Sequence, residues 1–227
     1  MDKRDALTKE YFDEKSVLVI DKTGGSFLQW FEHDTERIVR LSGALRQSIL
    51  IIEWIDGGYK LTSTGPNIEG DMVRLVVQHA GQALPSLYLY NNAFTLPPGL
   101  RRKKLGIRSI ATQLFEACET GEFAFVEVDA IGDASTLNPQ DPEHQYSGYV
   151  VWALIGFDGP LPQGLTAKHP DLAAYARVSE VLAAPDGQRL WLEKGESCRL
   201  QFDLTRGSNS WVALHRYMRD NGIEVRR

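Results

Sequence analysis

Positions 101–104 carry four consecutive cationic side chains, which stand just before a glycine and the most regular helical pattern of the chain. The start of a helix leaves backbone N–H groups free and carries a partial positive charge, so it attracts phosphate groups. Gly106 would let such a ligand approach the backbone closely. Residues 103–109 are therefore predicted to bind a pyrophosphate, with a solvated basic loop as the alternative. The helix itself is predicted from apolar residues that recur at the 3.6-residue period: Ile107, Ile110, Ala111, Leu114, Phe115 and Cys118.

Two carboxylates alternate with valines on the strand predicted at residues 123–131. Glu127 and Asp129 are two positions apart, so their side chains point to the same face of a strand. A carboxylate on such a face could serve as a general base, because acylation of an amine needs a group that takes up its proton. The alternative is that both carboxylates face solvent or pair with lysine or arginine.

The order of elements across residues 87–158 resembles the GNAT superfamily of acyl-CoA N-acyltransferases. That family has a strand, an Arg/Gln-x-x-Gly-x-Gly/Ala turn, a helix, a second strand and a short helix that ends in Gly-Phe. Here the turn is Lys103-Lys104-Leu105-Gly106-Ile107-Arg108, and the final pair is Gly156-Phe157. The resemblance implies acetyl-CoA or another acyl-CoA as cofactor. It implies these cofactor-binding residues: Phe94, Leu96, Arg101, Arg102, Lys103, Lys104, Leu105, Gly106, Ile107, Arg108 and Ser109.

The same resemblance implies the chemistry and its participants. An amine, on a small molecule or a protein, would accept the acyl group, and backbone amides of residues 93–96 would polarise the thioester carbonyl. Glu127 is the expected base and Tyr149 the expected proton donor. Two positions depart from the family pattern: Arg108 stands where the family has glycine or alanine, and Trp152 stands where many members carry the tyrosine acid.

The expected fold is α/β, more narrowly α+β. Its centre is a GNAT-like mixed sheet, mostly antiparallel, which is flanked by helices. Residues 1–227 are predicted to form one domain, in which residues 1–160 are an acyltransferase-like core and residues 161–227 a helical C-terminal extension packed on it. Hairpin-length links predict antiparallel pairing before residue 96. Residues 27–31 are predicted as a strand, and residues 132–147 as a loop.

Composition narrows the function classes. The net charge of -5 argues against general nucleic-acid binding, whereas 43% hydrophobic residues suffice for a full core. The two cysteines fit no disulfide framework or metal-ligand spacing, so we expect a reduced, cytoplasmic protein without a metal. Neither a secretory signal nor a membrane span is expected.

Two other functions remain open on the sequence. The chain could be a non-catalytic GNAT-like module that binds a protein partner or a nucleotide, which Lys103, Arg108 and Trp152 favour. It could also be an effector delivered to another cell, for which the sequence contains no diagnostic feature. Separately, the C-terminal third resembles the tails that follow GNAT-like domains in bacterial and phage-associated proteins.

Overall fold

The computed structural model describes residues 2–79, 86–137 and 147–226. The predictions that concern residues 138–146, in the long polar loop, therefore lie outside the described residues. The strands are β1 Leu18–Asp21, β2 Ile49–Ile55, β3 Gly58–Thr64, β4 Met72–His79, β5 Ser86–Ala93, β6 Phe123–Ala130 and β7 Cys198–Asp203. The helices are α1 Ala6–Tyr11, α2 Ser26–Trp30, α3 Thr35–Ser42, α4 Leu105–Thr120, α5 Gly148–Leu154, α6 Leu165–Lys168, α7 Val178–Ala183, α8 Gly187–Lys194 and α9 Asn209–Asp220.

The strands form one seven-stranded sheet in the order β1-β2-β3-β4-β5-β6-β7. β2, β3, β4 and β5 pair antiparallel through short links, which confirms the predicted pairing. β1 instead pairs parallel with β2, because α2 and α3 carry the chain back between them. The fold is thus a mixed α/β sheet with flanking helices, as expected, and the narrower GNAT-like topology stays a prediction.

Two compact units divide the chain. Unit one comprises residues 1–126, 204–206 and 218–227, and unit two comprises residues 127–203 and 207–217. The predicted single domain and its internal boundary at residue 160 stay predictions. The C-terminal extension is not purely helical, because it contains β7, which the sequence analysis missed.

In unit one, α4 is buried nearly all round and packs against α3. The buried Glu116 carboxylate of α4 accepts hydrogen bonds from Arg37 Nε at 2.7 Å and from Arg40 Nε at 2.9 Å, both on α3. Gly43 ends α3 in the left-handed conformation and lies so close to α4 that its carbonyl accepts a 2.7 Å bond from Ser109 Oγ. These contacts hold α4 in position against α3.

Unit two packs its short helices around aromatic side chains. Phe157 and Phe202 meet edge to face at 5.3 Å between ring centroids, and Phe202 meets Trp211 at 5.1 Å. Gly156 has a φ of +100°, and a Cβ there would collide with the carbonyl oxygen of Ser210. The Gly156-Phe157 pair therefore has a packing role within this unit.

The strand predicted at residues 27–31 is wrong. These residues belong mostly to the helix α2. Phe27 is fully buried and contacts Trp30, Phe31 and Tyr59, so tertiary burial of a helical aromatic cluster overrides the β-propensity of this stretch.

Candidate functional site

The basic turn, residues 101–104, lies in unit one between β5 and α4. Residues Pro98–Lys103 form a 3-10 helix, and Lys104 adopts the left-handed conformation with φ +56° just before α4 begins. The first backbone hydrogen bond of α4 runs from Arg108 N–H to the Lys104 carbonyl at 3.2 Å. Among the described residues, no partner is found for the N–H groups of residues 105–107. The positive end of a 16-residue helix thus has unpaired N–H donors, and Gly106 is half-buried whereas Leu105 and Ile107 are buried.

Three cations of the basic turn have partners within unit one. Arg101 donates to the Leu96 carbonyl at 2.8 Å and pairs with Glu69 at 2.8 Å. Lys103 donates to the Tyr11 hydroxyl at 3.1 Å, and that hydrogen bond raises the pKa of the lysine. Lys104 hydrogen-bonds to Asn221. These side chains hold the turn in place, and their charges still surround the start of α4.

Arg102 differs from its neighbours. It is exposed, and within the described part of the chain its guanidinium makes no hydrogen bond or ion pair. It can therefore reorient towards an anion at the start of α4 without breaking an existing contact.

Arg108 and Ser109 are buried and face inward. Arg108 is 4% exposed, pairs with Asp5 at 3.1 Å and donates to the Lys103 carbonyl at 3.1 Å. Ser109 is fully buried against Gly43. Both side chains hold the start of α4 against its surroundings, and their predicted cofactor contacts stay predictions.

Gly106, Leu105 and Ile107 complete the turn. Leu105 is fully buried and Ile107 is 7% exposed, so Gly106 is the more accessible residue of the three, and the predicted cofactor contacts of Leu105 and Ile107 stay predictions. A Cβ built on Gly106 would meet only Phe94, at 3.6 Å, which is ordinary contact. Gly106 is therefore not required for packing, and the position accepts a side chain.

Phe94 and Leu96 follow β5 and are half-buried. Their strand is irregular, because Val73 pairs with Ala93 whereas Arg74 pairs with Asn91, which leaves Asn92 as an extra residue. Such a bulge breaks the regular ladder of backbone hydrogen bonds at the end of β5 nearest the basic turn.

Glu127 and Tyr149 belong to unit two, and both are engaged. Glu127 is 8% exposed, accepts a hydrogen bond from Gln201 Nε2 at 2.8 Å and lies 3.6 Å from Arg199. Tyr149 is fully buried, and its hydroxyl donates to the Leu192 carbonyl at 2.7 Å. Burial, with a smaller contribution from Asp133, raises the pKa of Tyr149 to about 12. No hydrogen bond joins Glu127 to Tyr149 in the described part of unit two.

Asp129, the second carboxylate of the strand, is exposed and pairs with Arg199 at 3.0 Å. Within the described ranges, no group of three or more His, Cys, Asp or Glu side chains could hold a metal ion. Likewise, no described helix is both long and apolar enough to span a membrane.

Sequence analysis overlooked a buried polar cluster in unit one that contains Arg74, Asn91 and Gln113. The signal was available, because Arg74 lies between Met72 and Val76 on the inward face of an alternating strand, where a charge is unusual.

Comparison of the chain with protein-family models, with curated proteins and with solved structures gives no match. The fold itself defines the class of the protein, which is a mixed α/β protein with a seven-stranded sheet.

Proposed function

We propose that this protein is an acyl-CoA-dependent N-acyltransferase that holds the cofactor pyrophosphate at the start of α4. The observation that carries the proposal is that the N–H groups of residues 105–107, which follow the basic turn directly, have no hydrogen-bond partner among the described residues. A helix start with free N–H groups and nearby cations has the donors and the charge that a pyrophosphate requires.

The residues of the turn fit such a ligand in three ways. The unpaired N–H groups would donate to phosphate oxygens, and the Arg102 side chain would turn towards them. The positive charges of Lys103 and Lys104 would attract the phosphate electrostatically. Bound there, the thioester would supply an activated acyl group, either acetyl or another. The bulge at Asn92 frees β5 from a regular ladder beside the turn, which supports a role for residues 93–96 in orienting the thioester.

The roles of Glu127 and Tyr149 belong to the same proposal. Glu127 would take a proton from the acceptor amine, on a small molecule or a protein. Its carboxylate would do so while it also contacts Gln201 and Arg199. Tyr149 would donate a proton, and its bond to Leu192 would have to open first.

A second candidate function is a non-catalytic module that binds a nucleotide or a protein partner. The engaged hydroxyl of Tyr149 favours it, because a phenol whose pKa is raised to about 12 and whose proton is held by a carbonyl is a poor acid at neutral pH.

Gly106→Asp tests the binding step. The new carboxylate fits sterically and suits the first turn of a helix, so the fold should persist while a pyrophosphate is repelled. One like charge at close range is worth about 1–4 kcal/mol, so CoA affinity measured by calorimetry should fall about 5- to 1000-fold. Gly106→Asn is the matched control, because it adds nearly the same bulk without the charge and should bind CoA more tightly than Gly106→Asp.

The two candidate functions separate in a second measurement. Wild-type protein is incubated with acetyl-CoA and a mixture of amines, and mass spectrometry records acylated products. Products that depend on the start of α4 support the enzyme. CoA binding without any product favours the module, and equal CoA affinity in wild type and Gly106→Asp would exclude the turn as the site.

A further inference from the structure

Arg74 is a cation enclosed in the core of unit one. Its side chain lies on the inward face of β4 and the residue is 1% exposed. No carboxylate among the described residues forms an ion pair with it. Burial lowers its pKa to about 9, so it still carries its charge at neutral pH. A buried charge without a counter-charge is strongly unfavourable, so an anion that reached it would be bound firmly.

The hydrogen bonds of Arg74 leave one edge of its guanidinium unused. Nη1 donates to the carbonyls of Val73 at 3.3 Å and Ala93 at 3.2 Å. Nε and Nη2 have no partner within the described residues. These two nitrogens form the fork that binds the two oxygens of a carboxylate side by side. The protein thus holds the guanidinium through Nη1, and the edge formed by Nε and Nη2 has no hydrogen-bond partner.

Polar groups from two other elements have unused atoms on the same face. Asn91 of β5 pairs directly with Arg74 across the strands, and its Nδ2 donates to Gln113 Oε1 of α4 at 2.9 Å. In the described part of the chain, Gln113 Nε2 and Asn91 Oδ1 lack partners. Directly opposite residues have Cβ atoms about 5 Å apart, so Asn91 and Arg74 can contact one small ligand.

Phe94 covers this cluster. The Arg74 guanidinium carbon lies 5.4 Å from the centre of the Phe94 ring, whose edge reaches towards Gly106. Phe94 follows the end of β5 and is only half-buried. A ligand would therefore enter by displacing this ring rather than by opening the sheet.

We infer that Arg74, Asn91 and Gln113 form a binding site for a small organic carboxylate. A carboxylate brings the single negative charge that one guanidinium neutralises, and its planar pair of oxygens matches the Nε and Nη2 fork. A phosphate at neutral pH brings more than one negative charge to a site with one cation. The inference does not rest on CoA binding at the basic turn.

Thermal unfolding of the full chain tests the site. Acetate, malonate, succinate and phosphate are compared with chloride at equal ionic strength. Carboxylates should raise Tm in a concentration-dependent way, on the order of 5 °C at a hundredfold excess over Kd. Arg74→Met should remove this shift and still fold, because methionine fills the space without a charge. Arg206→Met, which removes an exposed cation of unit one outside the basic turn, should keep it.

Asn91→Asp provides a variant that does not remove the cation. It places a carboxylate opposite Arg74, so it should raise Tm and abolish the response to added carboxylates. The inference is overturned if no carboxylate shifts the wild type, if the shift persists in Arg74→Met or in Asn91→Asp, or if phosphate alone produces it.

Discussion

At the scale of single residues, the hydroxyl of Tyr149 decides between a structural and a catalytic role. Tyr149→Phe removes the bond to the Leu192 carbonyl and should lower the free energy of unfolding by about 1 kcal/mol in denaturant titrations. If the phenol is also the proton donor, turnover should fall about 10²- to 10⁴-fold, far more than the stability loss explains. Tyr175→Phe is the control, because its hydroxyl makes no hydrogen bond within the described residues. Equal turnover in wild type and Tyr149→Phe would exclude Tyr149 as the acid.

Two weak acids of unit two, the half-buried Cys198 and the buried Tyr149, predict a loss of stability in alkali. Burial is the main cause that raises the pKa of Cys198 from 9.0 to about 12 and that of Tyr149 from 10.0 to about 12. Between these values the unfolded chain releases the proton while the folded chain keeps it, so stability falls as pH rises. The slope should reach about 1.4 kcal/mol per pH unit for each group.

Denaturant titrations from pH 8 upward measure this loss. Below the unfolded value of 9.0 for Cys198, neither group contributes a slope. Cys198→Ala should make the decline shallower, chiefly in the lower part of the window, where the thiol titrates in the unfolded chain before the phenol. A stability that stays constant up to the folded values of both groups would contradict the prediction.

Arg108 shows what the sequence could and could not reveal about the site. Helical spacing correctly predicts a helix that begins directly after the basic turn. They could not reveal that Asp5, 103 positions away in sequence, pairs with Arg108 and turns it inward. A side chain's direction depends on long-range contacts, and a local pattern contains none of them.

At the scale of elements, the close approach of α3 and α4 depends on one glycine. Gly43 has a φ of +67°, and a Cβ there would lie 2.6 Å from Ser109 Oγ and 2.7 Å from its carbonyl oxygen. Gly43→Ala should therefore combine backbone strain with a collision and lower the free energy of unfolding by about 2–5 kcal/mol.

Gly121 provides the matched control for Gly43. It ends α4 in the same left-handed conformation, with φ +72°, but a Cβ would meet nothing within 4 Å. Gly121→Ala should show backbone strain alone, about 1–2 kcal/mol. The difference between the two variants in denaturant titrations measures the collision with Ser109. Equal losses would show that α3 and α4 separate to accommodate the methyl group.

Elements were predicted where local patterns are strong and missed where packing decides. The 3.6-residue period predicted α4, and hairpin-length links predicted the antiparallel pairing of β2 and β3. Short segments such as α2 and β7 carry too few residues for a period to be read, so burial against distant parts of the chain determines their conformation.

At the scale of the whole molecule, unit one is assembled from distant parts of the chain. Its C-terminal residues return to α1, where Asp5 N–H donates to the Glu224 carbonyl at 3.0 Å and Asp5 Oδ2 accepts from Glu224 N–H at 2.9 Å. Arg226 lies 4.2 Å above the ring of Phe115 on α4. The start of α4 is thus supported by Asp5, which the C-terminal segment holds in turn.

Deleting residues 222–227 tests this dependence and leaves α9 intact. The deletion removes the buried side chains of Ile223 and Val225, worth about 1.5–3 kcal/mol each, together with both hydrogen bonds to Asp5. That loss is comparable with the whole stability of a domain, so α1 and the start of α4 should lose their protection from hydrogen exchange. Glu224→Ala is the control, because it keeps the backbone groups that bind Asp5 and should retain protection. Full protection of α1 in the truncated chain would show that Asp5 holds Arg108 without help from the C-terminal segment.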